Sequence, residues 1–307
     1  MGTNALTLGA LASLGFGVEI ETVGLTRAAV AEVLRGVFEV SEDEVVAVGG
    51  RYNAIDVFDA RGRRWRVMRD GSLSDQLRGA EVVTPPLHYD TDRTLLVTVM
   101  RALHARGARA DSSCGIHIHI DADAFSGEAL GHLARLVYSR EPHLYKALGV
   151  SDHRRMQYAK PIDTGFVARL RDAPTPRYKR DIGRIWYDGP VDEHQRTHYH
   201  QSRYHGLNYH AVFYHGTVEF RWFNGTLNAH KLLAYLHLCL ALGLKALSMT
   251  RGIALTQHPL DPRDEKYGMR RFLVWLGLNG DDFAFTRAHL TELLAGSSRA
   301  PIHDATR

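Results

Sequence analysis

The sequence predicts an α+β fold, an antiparallel sheet with helices packed on one face, on three observations. Its short extended segments are joined mostly as hairpins, with few strand–helix–strand crossovers. Four of them, at residues 17–21, 81–84, 115–120 and 217–221, place acidic or imidazole side chains on one face and apolar ones on the other. Amphipathic helical stretches separate these segments, leaving the polar face open to carry chemistry.

Taken in order, a strand over about residues 14–22 leads to a helix capped by Thr26, where Val30, Val33, Leu34 and Val37 recur at helical spacing. Residues 41–50 read as a loop, and strands at about 51–58 and 64–69 flank the turn Asp59-Ala60-Arg61-Gly62. The segment holding Glu81 ends at Pro85 and Pro86, since proline cannot donate to a ladder. Leu95, Leu96, Val99, Met100 and Leu103 mark a helix that stops near Gly107. Ser126 caps another that runs to about Leu148, with a kink expected at Pro142. Residues 151–202, rich in Arg, Tyr, Asp and Pro, show no period and read as an insertion or a substrate-facing lid. Strands at about 206–213 and 217–223 follow, joined at Tyr214-His215-Gly216, then helices at about 228–249, 266–278 and 286–295. Residues 1–307 are expected to form a single domain, with 250–307 a C-terminal helical extension.

Apolar residues make up 45% of the 307, enough for a substantial core. The net charge of +4 suits anionic small molecules and does not argue for nucleic acid, because the bases lie in separate clusters. Two isolated cysteines, Cys114 and Cys239, exclude both a disulfide framework and a thiolate zinc site. The first residues lack a basic leader, and the longest apolar run, 232–244, is short for a membrane span. A cytoplasmic protein with no membrane partner is expected.

Glu19 and Glu21 share a strand face, as do His117 and His119, and as do Glu219 and Arg221. Each pair has a bland alternative: solvent-facing acids, one solvated and one hydrogen-bonded histidine, a cross-strand salt bridge. Convergence is the alternative for all. Two carboxylates about 4 Å apart repel by roughly 4 kcal/mol at an effective dielectric near 20, so Glu19, Glu21, Glu81 and Glu219 together would call for a divalent cation. Arg221 suits a phosphate, whose oxygens match its planar fork. Asp70, in the turn Asp70-Gly71-Ser72, is a candidate for the same pocket. Six histidines between His194 and His215 have spacings too irregular for zinc; Arg203 and Asn208 are the polar residues of that tract to follow.

With these residues in place, the sequence resembles the amidoligase family of the carboxylate–amine ligase superfamily. The segments that carry the resemblance are Phe16-Gly17-Val18-Glu19-Ile20-Glu21, Asp70-Gly71-Ser72-Leu73, Glu81-Val82-Val83-Thr84-Pro85-Pro86, Cys114-Gly115-Ile116-His117-Ile118-His119 and Thr217-Val218-Glu219-Phe220-Arg221. The resemblance implies a curved, glutamine synthetase-like catalytic sheet that binds ATP and two or three Mg2+ or Mn2+ ions. Glu19, His117 and Glu219 are then expected to hold the ion on the ATP phosphates, and Glu21 and Glu81 a second ion near the acyl substrate. Asp70 would assist there. His119, Asn208 and Arg221 would face the nucleotide, and Arg203 and Arg221 the transferred phosphoryl group. The activity implied is amide formation between a small-molecule or peptide carboxylate and an amine through an acyl phosphate, with Asp70 or a histidine as the base. Two other readings use the same residues: a metal-dependent hydrolase, and a non-catalytic module that binds anions. A monomer or dimer is expected, there being no evident extra N-terminal domain to build a ring.

Overall fold

The computed structural model describes residues 5–259 and 261–299. Residues 1–4, 260 and 300–307, which the expected domain and its C-terminal extension include, lie outside that description. The fold is α+β, built on antiparallel strand ladders. The described residues divide into two compact units: a sheet unit of Ala12–Ile120 with Phe223–Leu233, and a helical unit of residues 5–11, Asp121–Trp222 and the described residues from Ala234 on.

A single turn, α1 (Leu8–Leu11), precedes the first strand of the sheet unit, β1 (Phe16–Val23). Five more strands complete its sheet: β2 (Val45–Gly49), β3 (Ala54–Phe58), β4 (Arg64–Met68), β5 (Gly79–Val83) and β6 (Gly115–Asp121). They run in the order β2-β3-β4-β5-β1-β6. Register explains why one face is core. Ile20 lies opposite Val82 on one side and Ile116 on the other, and Val82 lies opposite Val67; all four are fully buried. Each such side chain contributes about 1.5–3 kcal/mol of burial.

Helix α2 (Arg27–Phe38) packs against β3, β4 and β5 and against α3 (Tyr89–Arg106). Thr26 caps α2 as expected, its hydroxyl accepting from the Ala29 N–H at 3.2 Å, and Phe38 packs its ring 5.1 Å from that of Trp65. Gly107 ends α3 with φ 103°, a left-handed conformation that favours glycine. Residues 41–50, expected as a loop, contain β2. Its valines Val46 and Val48 are 45% and 50% exposed, so no buried alternation marks it as a strand.

Asp59 organises the β3–β4 turn. It accepts from the N–H groups of Arg61 and Arg63, from the Arg63 guanidinium at 2.9 Å and from the buried Trp65 Nε1 at 3.1 Å. Burial pushes its carboxyl up, but these donors and the Arg63 charge outweigh that and hold it below its ordinary value of 3.8. Asp59→Ala is expected to destabilise the fold by roughly 2–3 kcal/mol in urea denaturation, since it strands the Trp65 donor. A carboxyl depressed in the fold stabilises fully above 3.8 and loses that contribution as pH falls through its folded value. The gap between wild type and variant should therefore close in acid.

The helical unit opens with α4 (Gly127–Ala147), capped by Ser126 and continuing through Pro142. The stretch that showed no period folds into four short helices, α5 (Asp152–Gln157), α6 (Thr164–Asp172), α7 (Lys179–Tyr187) and α8 (Val191–His194). The expected strand at 206–213 is corrected: β7 is only Leu207–Asn208, and α9 (His210–Tyr214) follows at once. Asn208 causes the break, its Oδ1 accepting from the His210 N–H at 2.8 Å and turning the chain away from the ladder. β7 pairs with β8 (Thr217–Asn224), after which come α10 (Ala229–Ser248), α11 (Glu265–Trp275) and α12 (Ala284–His289). α10 is long and apolar enough to cross a bilayer, yet 67% of its most apolar window is buried within the protein, as in a core helix.

Candidate active site

The polar face of the sheet unit follows from the register that builds its core. On β1, Glu19 lies opposite His117 of β6 and Val83 of β5, while Glu21 lies directly opposite Glu81. His119 lies opposite Gly17. Glu21, Glu81 and His117 are buried, at 4%, 6% and 4% exposure. Each offers a ligand atom within 4.8 Å of the others. His117 bridges the strand: its Nδ1 stands 2.7 Å from Glu19 Oε2 and its Nε2 3.9 Å from Glu21 Oε1. His119 Nε2 stands 3.3 Å from Glu19 Oε1. Glu21 is fixed from the backbone as well, accepting from the Gly115 N–H.

The electrostatics of this face are those of a cation site. Burial, and then the negative charges of Glu19, Glu21 and Asp70, push the Glu81 carboxyl well up. Burial also acts against Glu19, but hydrogen bonds and positive charge from His117 and His119 hold it well below the usual carboxylate range. Among the described residues, Glu81 has no Arg or Lys partner. Cross-strand carboxylates such as Glu21 and Glu81 destabilise a sheet unless a positive group joins them. Two carboxylates and an imidazole are a donor set that a divalent ion accepts: the carboxylates suit Mg2+ or Mn2+, and the imidazole tilts the set toward Mn2+. The residues present therefore fit the ion that the family resemblance implies. Asp70 is near enough to act on Glu81, and its own Oδ1 accepts from the Ser72 N–H and hydroxyl, both at 2.6 Å.

The remaining candidate residues lie in the helical unit. Glu219 and Arg221 share one face of β8 and pair with each other, both nearly fully buried. Asn208 Nδ2 donates to Glu219 Oε2 at 2.6 Å. Arg221 Nε donates to the Tyr158 carbonyl at 3.2 Å, and Arg154 Nε donates to the Arg221 carbonyl at 3.2 Å. Arg154 and Tyr158 are positioning residues that sequence reasoning missed. They sit in the stretch without periodicity, and one acts only through its main chain. Arg203 is half-buried over the rings of Tyr199 and Tyr204, with Nη1 donating to the His198 carbonyl at 3.1 Å.

The six histidines of the 194–215 tract mostly bond to one another and to neighbouring tyrosines. His200 Nε2 meets His194 Nδ1 at 3.2 Å, His210 Nδ1 meets the Tyr187 hydroxyl at 2.6 Å, and His198 Nδ1 meets the Tyr214 hydroxyl at 2.9 Å. Burial, and then the charge of His200, push His210 down to about 4. Burial likewise pushes His200 and His205 down.

Among solved structures, a bifunctional glutathione synthetase from Pasteurella multocida is similar at 14% identity and a TM-score of 0.40. That likeness covers 93% of this chain, which spans 48% of the glutathione synthetase chain. No curated protein matches. The family described as "Putative amidoligase enzyme" matches residues 12–243, from just before β1 into α10 and through every carboxylate and imidazole of the sheet face. On that match, this chain belongs to the amidoligase family.

Proposed function

We propose that the protein is an ATP-dependent carboxylate–amine ligase that forms an amide through an acyl phosphate. The observation that carries this reading is the meeting of Glu21, Glu81 and His117 on a buried strand face whose charge calls for a divalent cation. Family membership supports the use of ATP. Bound there, a divalent ion would supply charge neutralisation for phosphate and carboxylate oxygens.

A carboxylate resists attack by an amine, being anionic and having only oxide to expel. In the first step, a carboxylate oxygen attacks the γ-phosphorus of ATP, the bond to the β-phosphate oxygen breaks, and ADP leaves. In the second, the amine nitrogen attacks the acyl carbon, the bond to the phosphate oxygen breaks, and the amine proton passes to a base. Glu19, Glu21, Glu81 and His117 hold the ions in this reading, and Asp70 or a histidine is the base. Glu219, Asn208, Arg221, Arg203 and His119 are assigned to the ions and phosphates on the family motif. Arg221 is suited to that work, because its guanidinium is already oriented by Glu219 and the Tyr158 carbonyl.

Isotope transfer tests the reading. With Mg2+, ATP and a panel of amino acids, polyamines and peptides, an oxygen-18-labelled carboxylate should pass one labelled oxygen to the released phosphate, and an amide should form. Phosphate released without label, or ATP binding that is indifferent to Mg2+ with no amide from any pair, would refute it. A hydrolase working on the same residues should be indifferent to nucleotide.

A further inference from the structure

The helical unit contains a cavity of about 640 Å3 between α4, the segment that follows α10, and α11. The segment is anchored. The His258 N–H donates to the Ser139 carbonyl at 2.9 Å, and Arg135 Nη1 donates to the Ile253 carbonyl at 3.2 Å. Asp264, Gly268, Arg271, Phe272 and Trp275 line it from one helical face, spaced i, i+4, i+7, i+8 and i+11, and Arg140 joins them from α4.

Three features of this lining point to a ligand. Arg140 and Arg271 share the cavity, and among the described residues neither forms an ion pair. Arg140 is half-buried, 5.4 Å from the ring centre of Phe272; burial and then the Arg271 charge push it down, while the Asp264 charge acts the other way. Two guanidiniums at one opening, that of Arg271 exposed, are suited to a planar anion. On the same cavity stands Asp264, whose Oδ2 borders the open space beside Gly268. Finally, Gly268 leaves the space open: a Cβ there would meet nothing nearer than Asp264 Oδ2 at 3.9 Å. Cations, a carboxylate and an aromatic wall together match a molecule that carries both charges and an apolar group.

We infer that this cavity binds an apolar α-amino acid, its carboxylate on Arg140 and Arg271, its ammonium on the Asp264 carboxylate and its side chain against Phe272 and Trp275. The volume lies within the range of small-molecule sites, about 300–1,000 Å3. The inference does not depend on the ligase reading, since binding here needs neither ATP nor a metal.

Calorimetry on the full chain, without nucleotide, tests it with L-phenylalanine and L-leucine as probes. Hydrocinnamate, which lacks the ammonium, and phenethylamine, which lacks the carboxylate, are the comparisons. L-Phenylalanine should bind at least roughly tenfold more tightly than either, one charge contact being worth about 1.4 kcal/mol or more. Asp264→Asn should bring L-phenylalanine to the level of hydrocinnamate without moving hydrocinnamate itself. Arg271→Ala should weaken both carboxylates and spare phenethylamine. Gly268→Leu should fill the cavity and abolish binding while the melting temperature holds, because helix propensity improves. The inference is overturned if hydrocinnamate binds as tightly as L-phenylalanine, or if Gly268→Leu binds normally. It is equally overturned if folded wild-type protein binds neither amino acid at millimolar concentration.

Discussion

His117→Ala is expected to abolish the proposed amide-forming activity and weaken Mn2+ binding by roughly 100-fold or more, since even partners one step behind a metal ligand are worth about 10–100-fold. One imidazole faces both Glu19 and Glu21, so its loss removes a donor and releases the orientation of two carboxylates. Glu81→Gln provides the control for folding. It removes the like-charge opposition between Glu21 and Glu81 while keeping the shape of the side chain, so the metal-free protein should melt no lower than wild type. Its Mn2+ affinity should nonetheless fall. Thermal melts with and without Mn2+ give both answers. A metal-induced rise in melting temperature that survives in both variants would remove the site from these residues.

Gly206→Ala should be the most damaging single methyl group in the helical unit. A Cβ at this position would lie 1.9 Å from Trp222 Nε1, 2.2 Å from Trp222 Cδ1 and 2.6 Å from the Tyr145 hydroxyl. Trp222 is fully buried on β8 and has nowhere to move, and the Tyr145 hydroxyl is committed to the Ala159 carbonyl at 2.6 Å. The backbone is held on both sides, the Gly206 N–H donating to the Lys160 carbonyl and the Gly206 carbonyl accepting from the Arg221 N–H, each at 2.8 Å. Overpacking usually costs about 1–3 kcal/mol, and a clash against this many fixed atoms should reach or exceed the top of that range. Urea denaturation would show it as a lower midpoint. A variant within about 0.5 kcal/mol of wild type, the scatter of ordinary surface changes, would mean that Trp222 has room the structure does not show.

Strand periodicity carried much of this molecule's sheet unit. Glu19 with Glu21 and His117 with His119 were readable as shared faces because a period of two admits no other arrangement once the segment is extended. Thr26, Gly107 and Ser126 were readable as helix boundaries because each has a local backbone job that its residue type suits. β2 escaped because an exposed edge strand needs no alternation. β7 was drawn too long because the side chain of Asn208 ends the ladder, and that bond competes with extended backbone in a way hydropathy does not register. The hold of Arg154 and Tyr158 on Arg221 was invisible for a different reason: two of the groups involved are main-chain carbonyls, which every residue has.

The bond from the Gly115 amide to Glu21 has a consequence for how an ion would enter. Gly115 begins β6, and the carboxylate it restrains belongs to β1, so the ladder itself sets the donor atom before anything is captured. Small zinc modules differ, since there uptake and chain collapse are one event and affinity is folding energy. Here capture requires no main-chain rearrangement at Glu21. Its pace would follow how readily the incoming ion sheds water, which sets apart slow Mg2+ from the larger, more yielding cations.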